Sequence, residues 1–316
     1  MIIGSISEQD ANETRIPLTP EVTAKLTAFG HHILLKKGYG ASLGYTDTAY
    51  LNTGAKITNS TKEILQSSEI IVQITPPRIK TTELKNCRLI IADFTGSESD
   101  FSPIKLLRLE RVPRTSAAQP IDTLSAQSLP RGYMVALYAL WHTKRIAQQM
   151  ITAAATIKAM QALVIGAGTT GLQAAATLKK AGCRVTITDI NPQTTELAAS
   201  VGADFILRTA KTPIKNLINN KNIIINTAPL TTSLINSQDM KYLAPFTVIA
   251  DTAAHSTPKN IPPHIIYYAN PYFERFAPLT ASELWAHNML NLLTLILPTP
   301  EHLDLSSDNI QAMLTT

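Results

Sequence analysis

Three glycines and one carboxylate in the second half of the chain have the types and spacing to hold a dinucleotide. They lie in and after the turn Gly166-Ala167-Gly168-Thr169-Thr170-Gly171. The turn follows the apolar run Gln161–Ile165, which reads as a buried parallel strand. It precedes Leu172–Lys180, rich in helix formers and stopped near Gly182, and a second strand, Arg184–Thr188, that delivers Asp189. Gly166 permits the tight turn, Gly168 lets backbone approach a pyrophosphate, and Gly171 lets the helix pack closely on the strand, while the helix N-terminus offers N–H groups to phosphate. Asp189 lies 18 positions past Gly171, close to the offset of roughly 20 expected of a ribose-binding acid. A carboxylate there accepts from ribose hydroxyls and repels a 2′-phosphate. Ile190, Asn191 and Pro192 follow it with no Arg among them, so NAD(H) is expected over NADP(H).

A second set of polar residues lies in the segment Val112–Ser125, where Arg114, Gln119, Asp122 and Ser125 supply a cation, an amide, a carboxylate and a hydroxyl just ahead of a helix. Such a loop can meet the open end of a cofactor. It can equally be an ordinary polar loop that caps the helix. Arg15 stands between two readings, a ligand for a nucleotide or acid and a salt bridge to Glu13 or Glu8. His255 follows a strand end, where open sheets place ligands, but lacks an identifiable partner and reads first as a solvated loop residue. His31 and His32 read as structural. Cys87 and Cys183 have no metal-like spacing and read as buried free thiols of a reducing compartment, and no metal site is expected.

The elements that must position these residues alternate strand and helix. The 316 residues have room for about two domains, and 45% hydrophobic with 16% charged content suits a globular α/β chain. The net charge of +5 is dispersed, with no basic run interleaved with aromatics, so no nucleic-acid partner is expected; weak attraction to an anionic membrane face remains open. The start has no basic leader, and the apolar run Leu292–Leu297 is too short to span a bilayer, so neither a signal peptide nor a membrane span is expected. Strands are expected at Ile2–Ile6, His32–Lys36, Glu69–Ile74 and Arg88–Asp93, with helices at Pro20–Phe29, Asp47–Asn52, Ser60–Ser67 and Ser102–Leu109. One long helix is expected from Gly132 to about Ala159. Further strands follow at Phe205–Leu207, Asn222–Asn226, Thr247–Ala250 and Ile265–Tyr268. A last helix, about Thr280 to Leu297, is expected to return to the first domain, and Pro298 onward reads as a surface tail. The fold class that follows is α/β: two Rossmann-like domains with mostly parallel sheets joined by long helices, the cofactor cleft between them. The first domain is residues 1–131 with 278–316, and the second is residues 132–277.

With these residues in hand, the sequence resembles the alanine dehydrogenase and pyridine-nucleotide transhydrogenase family from Met1 to about Leu297. The likeness is carried by Asn12–Pro20, Gly30-His31, Gly38–Ala41, Gly54-Ala55, the glycine turn, and Ala281–Leu284 with Asn288 and Asn291–Leu293. The segment Val112–Ser125 looks like the signature of the NAD(H)-binding alpha component of proton-translocating transhydrogenase, in which the residues matching Arg114, Gln119, Asp122 and Ser125 surround the nicotinamide. The resemblance implies NAD(H) as cofactor, loops at Thr227, Ala228 and Asp251 lining the cofactor cleft, and a homodimer on the cytoplasmic face of the inner membrane. It also implies partners: an NADP(H)-binding subunit and a membrane-spanning subunit. Direct hydride transfer between two nicotinamides needs no acid, base or metal, only alignment and exclusion of water. The alanine dehydrogenase branch needs more. Arg15 takes the place of its substrate Arg, but Thr75 stands where that branch has Lys, and Phe94–Ser97 lies where it has its His. Neither can supply a cation or shuttle a proton. The segment between Phe205 and Asn222 is shorter than in the transhydrogenase component. Pro229–Thr232 and Thr252–Thr257 also depart from the family's loops. An alanine dehydrogenase-like amino- or 2-oxo-acid dehydrogenase and a catalytically silent NAD-binding regulatory subunit therefore stand as alternatives.

Overall fold

The computed structural model describes residues 1–97, 101–209, 212–228, 235, 237–253 and 260–315. The chain divides into two compact units, Met1–Gln127 with Ala277–Thr316, and Ser128–Phe276.

The first unit is built on strands β1 (Ile2–Ser5), β2 (His32–Lys36), β3 (Lys56–Thr58), β4 (Ile70–Val72), β5 (Leu89–Ala92) and β6 (Lys105–Arg108) with helices α1 (Pro20–Ala28), α2 (Asp47–Leu51) and α3 (Thr61–Ser67). The six strands are parallel and lie in the order β6-β5-β4-β1-β2-β3. Runs such as Leu89-Ile90-Ile91-Ala92 are buried throughout, as strands covered on both faces require. The helix starts are set by side chains: Thr19 accepts from Val22 N ahead of Pro20, and Ser60 accepts from Glu63 N.

Helix α4 (Thr123–His142) begins in the first unit and continues into the second. The second unit then carries β7 (Met150–Ile151), β8 (Thr156–Ile157), β9 (Gln161–Ile165), α5 (Thr169–Lys180), β10 (Arg184–Asp189), α6 (Thr195–Ser200), β11 (Asp204–Leu207), α7 (Ile214–Ile218), β12 (Ile223–Asn226), β13 (Val248–Asp251) and β14 (Ile266–Ala269). Six of these strands form an all-parallel sheet in the order β11-β10-β9-β12-β13-β14. Counted within the unit this is 3-2-1-4-5-6, the doubly wound dinucleotide-binding order, and the first six strands of the first unit repeat it. The chain then returns to the first unit with α8 (Pro278–Ile296), α9 (Asp308–Met313) and β15 (Leu314–Thr315).

The expected return of the last helix holds: Trp285, Met289, Leu292, Leu293 and Ile296 are buried in one core with Leu18, Val22 and Leu26. Three other expectations do not hold. Ser102–Leu109 is not a helix; Leu106 and Leu107 are both buried in β6, which pairs with β5 from Leu89↔Lys105 to Ala92↔Arg108. A short apolar run suits either element, and the open edge of β5 decides between them. The long helix starts at Thr123 rather than Gly132, because Asp122 accepts from Ser125 N (3.0 Å) and starts it early. It ends at His142, and β7 and β8 form an antiparallel hairpin instead of its continuation. β-Branched Ile151, Thr152, Thr156 and Ile157 outweigh the three alanines between them, and Ala155 N donates to Thr152 Oγ1 across the turn. The residues after Pro298 are not a loose tail, since Ile310 and Met313 are fully buried and β15 pairs antiparallel with β6. Among the described residues no helix is long and apolar enough to cross a membrane. Both cysteines are free, Cys183 buried and Cys87 partly so; burial pushes both thiols up to about 11.

Candidate functional site

The strand order of the second unit reverses between β9 and β12, and the crevice beyond the carboxyl ends of such strands is where an open α/β sheet takes its ligand. The glycine turn leaves β9 at that point. Gly166 has φ +99°, and a Cβ on it would lie 2.7 Å from Thr227 Oγ1. A Cβ on Gly171 would lie 1.9 Å from the Gly166 carbonyl oxygen, so only glycine lets α5 sit this close to the turn. Gly168 differs: among the described residues nothing lies within 4 Å of where its Cβ would be, and no side chain caps α5 there. An open approach to an uncapped helix N-terminus suits a pyrophosphate.

A cavity of about 240 Å³ opens there, and six of the residues expected at the cofactor line it: Gly166, Gly168, Asp189, Ile190, Thr227 and Ala228. Thr227 Oγ1 lies 3.0 Å from the Ile165 carbonyl oxygen, which ties the end of β12 to the turn. Asp189 accepts from Ala167 N (2.7 Å) through one oxygen and from Asn191 N (2.9 Å) through the other. Its carboxylate is therefore fixed at the mouth of the turn with lone pairs left for ribose hydroxyls. Ala167 is buried behind the turn, and Thr169, Thr170 and Gly171 form the first turn of α5. Asp251, like these four, does not line that cavity; it is buried, and its carboxylate accepts from Asn226 Nδ2 (3.0 Å), Ala253 N (2.8 Å) and the Tyr267 hydroxyl (3.0 Å), as a brace between neighbouring strands.

Arg208 also lines this cavity, and sequence reasoning missed it. β11 pairs with β10 so that Leu207 lies opposite Asp189, and Arg208 N donates to the Asp189 carbonyl oxygen (2.7 Å). Among the described residues its buried Nε has no hydrogen-bond partner. No cation follows Asp189 in sequence, but strand pairing brings one to it. The available signal was the first residue after the third strand.

In the first unit Arg114, Asp122 and Ser125 come together. Arg114 Nη1 lies 3.4 Å from Asp122 Oδ2 and 3.1 Å from Ser125 Oγ, and Ser125 donates through both its amide and its hydroxyl to the Asp122 carboxylate. Asp122 thus caps α4, while the Arg114 side chain is 68% exposed and keeps donors for a ligand. Gln119 is exposed, and its side-chain amide bonds to nothing among the described residues. Arg15 resolves toward the salt bridge: it is buried, pairs with Glu13 at 2.6 Å, donates to Gln127 Oε1 (2.9 Å), and sits 5.5 Å from the Trp285 ring centre. Glu8 instead accepts from Gln73 Nε2 (3.1 Å), Ile74 N (2.7 Å) and Thr75 Oγ1 (2.6 Å). Burial pushes its carboxyl up to about 7 against the hydrogen bonds from Thr75 and Ile74. Glu8, Asp10, Glu13 and Arg15 line one cavity of about 260 Å³, where among the described residues three acids meet one cation. His31 is buried, and its pKa is lowered by burial, then by the N-terminal ammonium and His32. His255 lies outside the described residues.

The sheet order, the open turn and the fixed carboxylate define a class: a two-unit α/β protein whose second unit is a dinucleotide-binding domain. Residues 4–129 match the alanine dehydrogenase/PNT N-terminal domain and residues 136–316 match the alanine dehydrogenase/PNT C-terminal domain. The chain belongs to the alanine dehydrogenase/PNT family. It is 34% identical over 218 residues to the first section of the NAD(P) transhydrogenase alpha subunit of Rickettsia prowazekii, a match covering 65% of this chain and 57% of that protein. A more distant relative, alanine dehydrogenase of Methanococcus maripaludis, is 26% identical over 202 residues, covering 60% of this chain and 54% of the relative. The chain thus spans less than two thirds of the length of these relatives. The fold is that of a solved transhydrogenase from Sinorhizobium meliloti, with a TM-score of 0.88 at 24% identity over 100% of this chain and 98% of that one.

Proposed function

We propose that this chain is the NAD(H)-binding alpha component of a proton-translocating NAD(P) transhydrogenase, working as a homodimer against the cytoplasmic face of the membrane. Its partners are then an NADP(H)-binding subunit and a membrane-spanning subunit. The observation that carries the reading is the cavity in which an open Gly168, an uncapped α5 and a fixed Asp189 face one another. The chemistry that bound NADH supplies is a hydride for a second nicotinamide. The protein's task is to bind and orient. The first turn of α5 takes the pyrophosphate, Asp189 takes the adenosine ribose, and Thr227 with Ala228 closes the side of the cavity. In this reading Arg114, Gln119, Asp122 and Ser125 receive the nicotinamide end. Gln119 offers a free amide for the carboxamide, and Asp122 holds Arg114 in place.

The alanine dehydrogenase alternative lacks the groups it needs. Arg15 is neutralised by Glu13 and Thr75 is spent on Glu8, so among the described residues the cavity that Arg15 lines offers no unpaired cation to a 2-oxo acid. Mixing the chain with a competent NADP(H)-binding component and following hydride exchange tests the proposal. Exchange that depends on this chain supports it. NADH binding by calorimetry without exchange would leave the silent regulatory subunit in its place.

A further inference from the structure

Between Asp122 and Asp189 the chain runs for 66 residues without a single Asp or Glu, yet it contains seven Lys and Arg. Arg131 among them is paired, with Glu274 at 2.7 Å. Lys144 and Arg145, after α4, and Lys158, after β8, are exposed and form no ion pair or hydrogen bond among the described residues. These three line one cavity of about 450 Å³, the walls of which include Ile146, Ile157 and Met160. Its floor is Gln161 and Asn222, where β9 and β12 begin. Gln161 N donates to Asn222 Oδ1 (2.9 Å), which fixes the amide, and among the described residues Asn222 Nδ2 donates to nothing. Among the described residues no carboxylate lines it. Unpaired like charges brought to one concave site repel one another, and an anion relieves that repulsion.

We propose that this cavity is a second anion site, taking a phosphate-bearing ligand of mononucleotide size or smaller. It is distinct from the dinucleotide site: β9 leads from one to the other, with Gln161 at its start and the glycine turn beyond its last residue, Ile165. The length of that strand separates them by on the order of 15 Å. Lys144, Arg145 and Lys158 neutralise the phosphate, Asn222 supplies a neutral donor, and the two isoleucines cover an apolar portion. The phosphate has two sources to distinguish, a free phosphorylated metabolite and the headgroup of an anionic lipid. Trp141, 83% exposed at the end of α4, and Ile151, 77% exposed in β7, are the large apolar side chains nearby in sequence that a lipid surface would cover.

The test compares the full chain with the double variant Lys144→Ala/Lys158→Ala, whose replaced side chains are exposed and bond to nothing among the described residues. Inorganic pyrophosphate is titrated by calorimetry at low salt with NADH present, so that the glycine turn is occupied. Pelleting with phosphatidylcholine vesicles, with and without phosphatidic acid, forms the second arm. Pyrophosphate binding that weakens roughly tenfold or more in the variant, and also with added salt, supports the free-ligand source. Binding only to the acidic vesicles, lost in the variant and accompanied by a blue shift of Trp141 emission, supports the headgroup source. No binding in either arm, or binding equal in the variant, overturns the proposal. Failure of NADH itself to bind would count against the proposed function and leave the wild-type-to-variant comparison readable.

Discussion

Asp189→Ala probes the dinucleotide reading most directly. The carboxylate is held by Ala167 N and Asn191 N, and under the proposed function it accepts from the ribose hydroxyls of bound NADH. Each hydrogen bond to a charged group contributes about 1.5–3 kcal/mol, and a carboxylate that accepts from both ribose hydroxyls makes two, a good part of which water replaces once the carboxylate is gone. Removing it should therefore weaken NADH by about 2–3 kcal/mol, or roughly 30- to 150-fold. NADPH should respond in the opposite sense. Its 2′-phosphate no longer meets a fixed negative charge, and Arg208 in the same cavity is left unopposed. The preference for NADH over NADPH should fall by at least about 100-fold, the NADH loss and the NADPH gain acting together. Calorimetric titration of both nucleotides against both proteins reads this ratio, which a general loss of folding does not shift. A ratio unchanged within about threefold would mean that Asp189 does not face the ribose, and the cofactor assignment would fall with it.

Arg208→Ala should move the same ratio the other way, weakening NADPH about tenfold with NADH within about threefold, by the same titrations. Gly171→Ala forces a Cβ to 1.9 Å from the Gly166 carbonyl oxygen, so thermal or urea unfolding should show a loss of about 3 kcal/mol or more. Gln119→Ala should cut hydride exchange in the reconstituted system without lowering the melting temperature, because the exposed amide bonds to nothing among the described residues. Glu8, raised from 4.5 to about 7 by burial, holds an extra proton in the native state between those values, so stability should fall as pH rises from about 4.5 to about 7. Urea unfolding at about pH 5 and about pH 8 should show that fall in the wild type, and Glu8→Gln should flatten it.

The central strands were legible because a strand buried on both faces is an apolar run bounded by polar ends, as in Leu89–Ala92 and Ile223–Asn226. The glycine turn was legible because Gly166 and Gly171 answer local steric demands, while Gly168 keeps the approach to the helix N-terminus open. Features fixed by distant partners were not. β6 became a strand because β5 had a free edge, and α9 is held by contacts with that same strand, far earlier in the chain. Arg208 reaches Asp189 only through the β10–β11 register, which linear spacing does not encode. Asp122 shows a different limit. A capping carboxylate and a ligand-binding carboxylate look alike in sequence, and the bond from Ser125 N shows that this one caps a helix while also holding Arg114.

The interrupted course of the first unit has a consequence for biosynthesis. Its core needs Trp285 to Ile296 and then Ile310 and Met313, while the nucleotide-binding unit is complete in sequence by Phe276. On the ribosome the inserted unit can therefore close first, while the parallel strands of its host wait with an uncovered apolar face until the returning helix emerges. That interval is when the nascent protein is most exposed to aggregation and has most need of a chaperone.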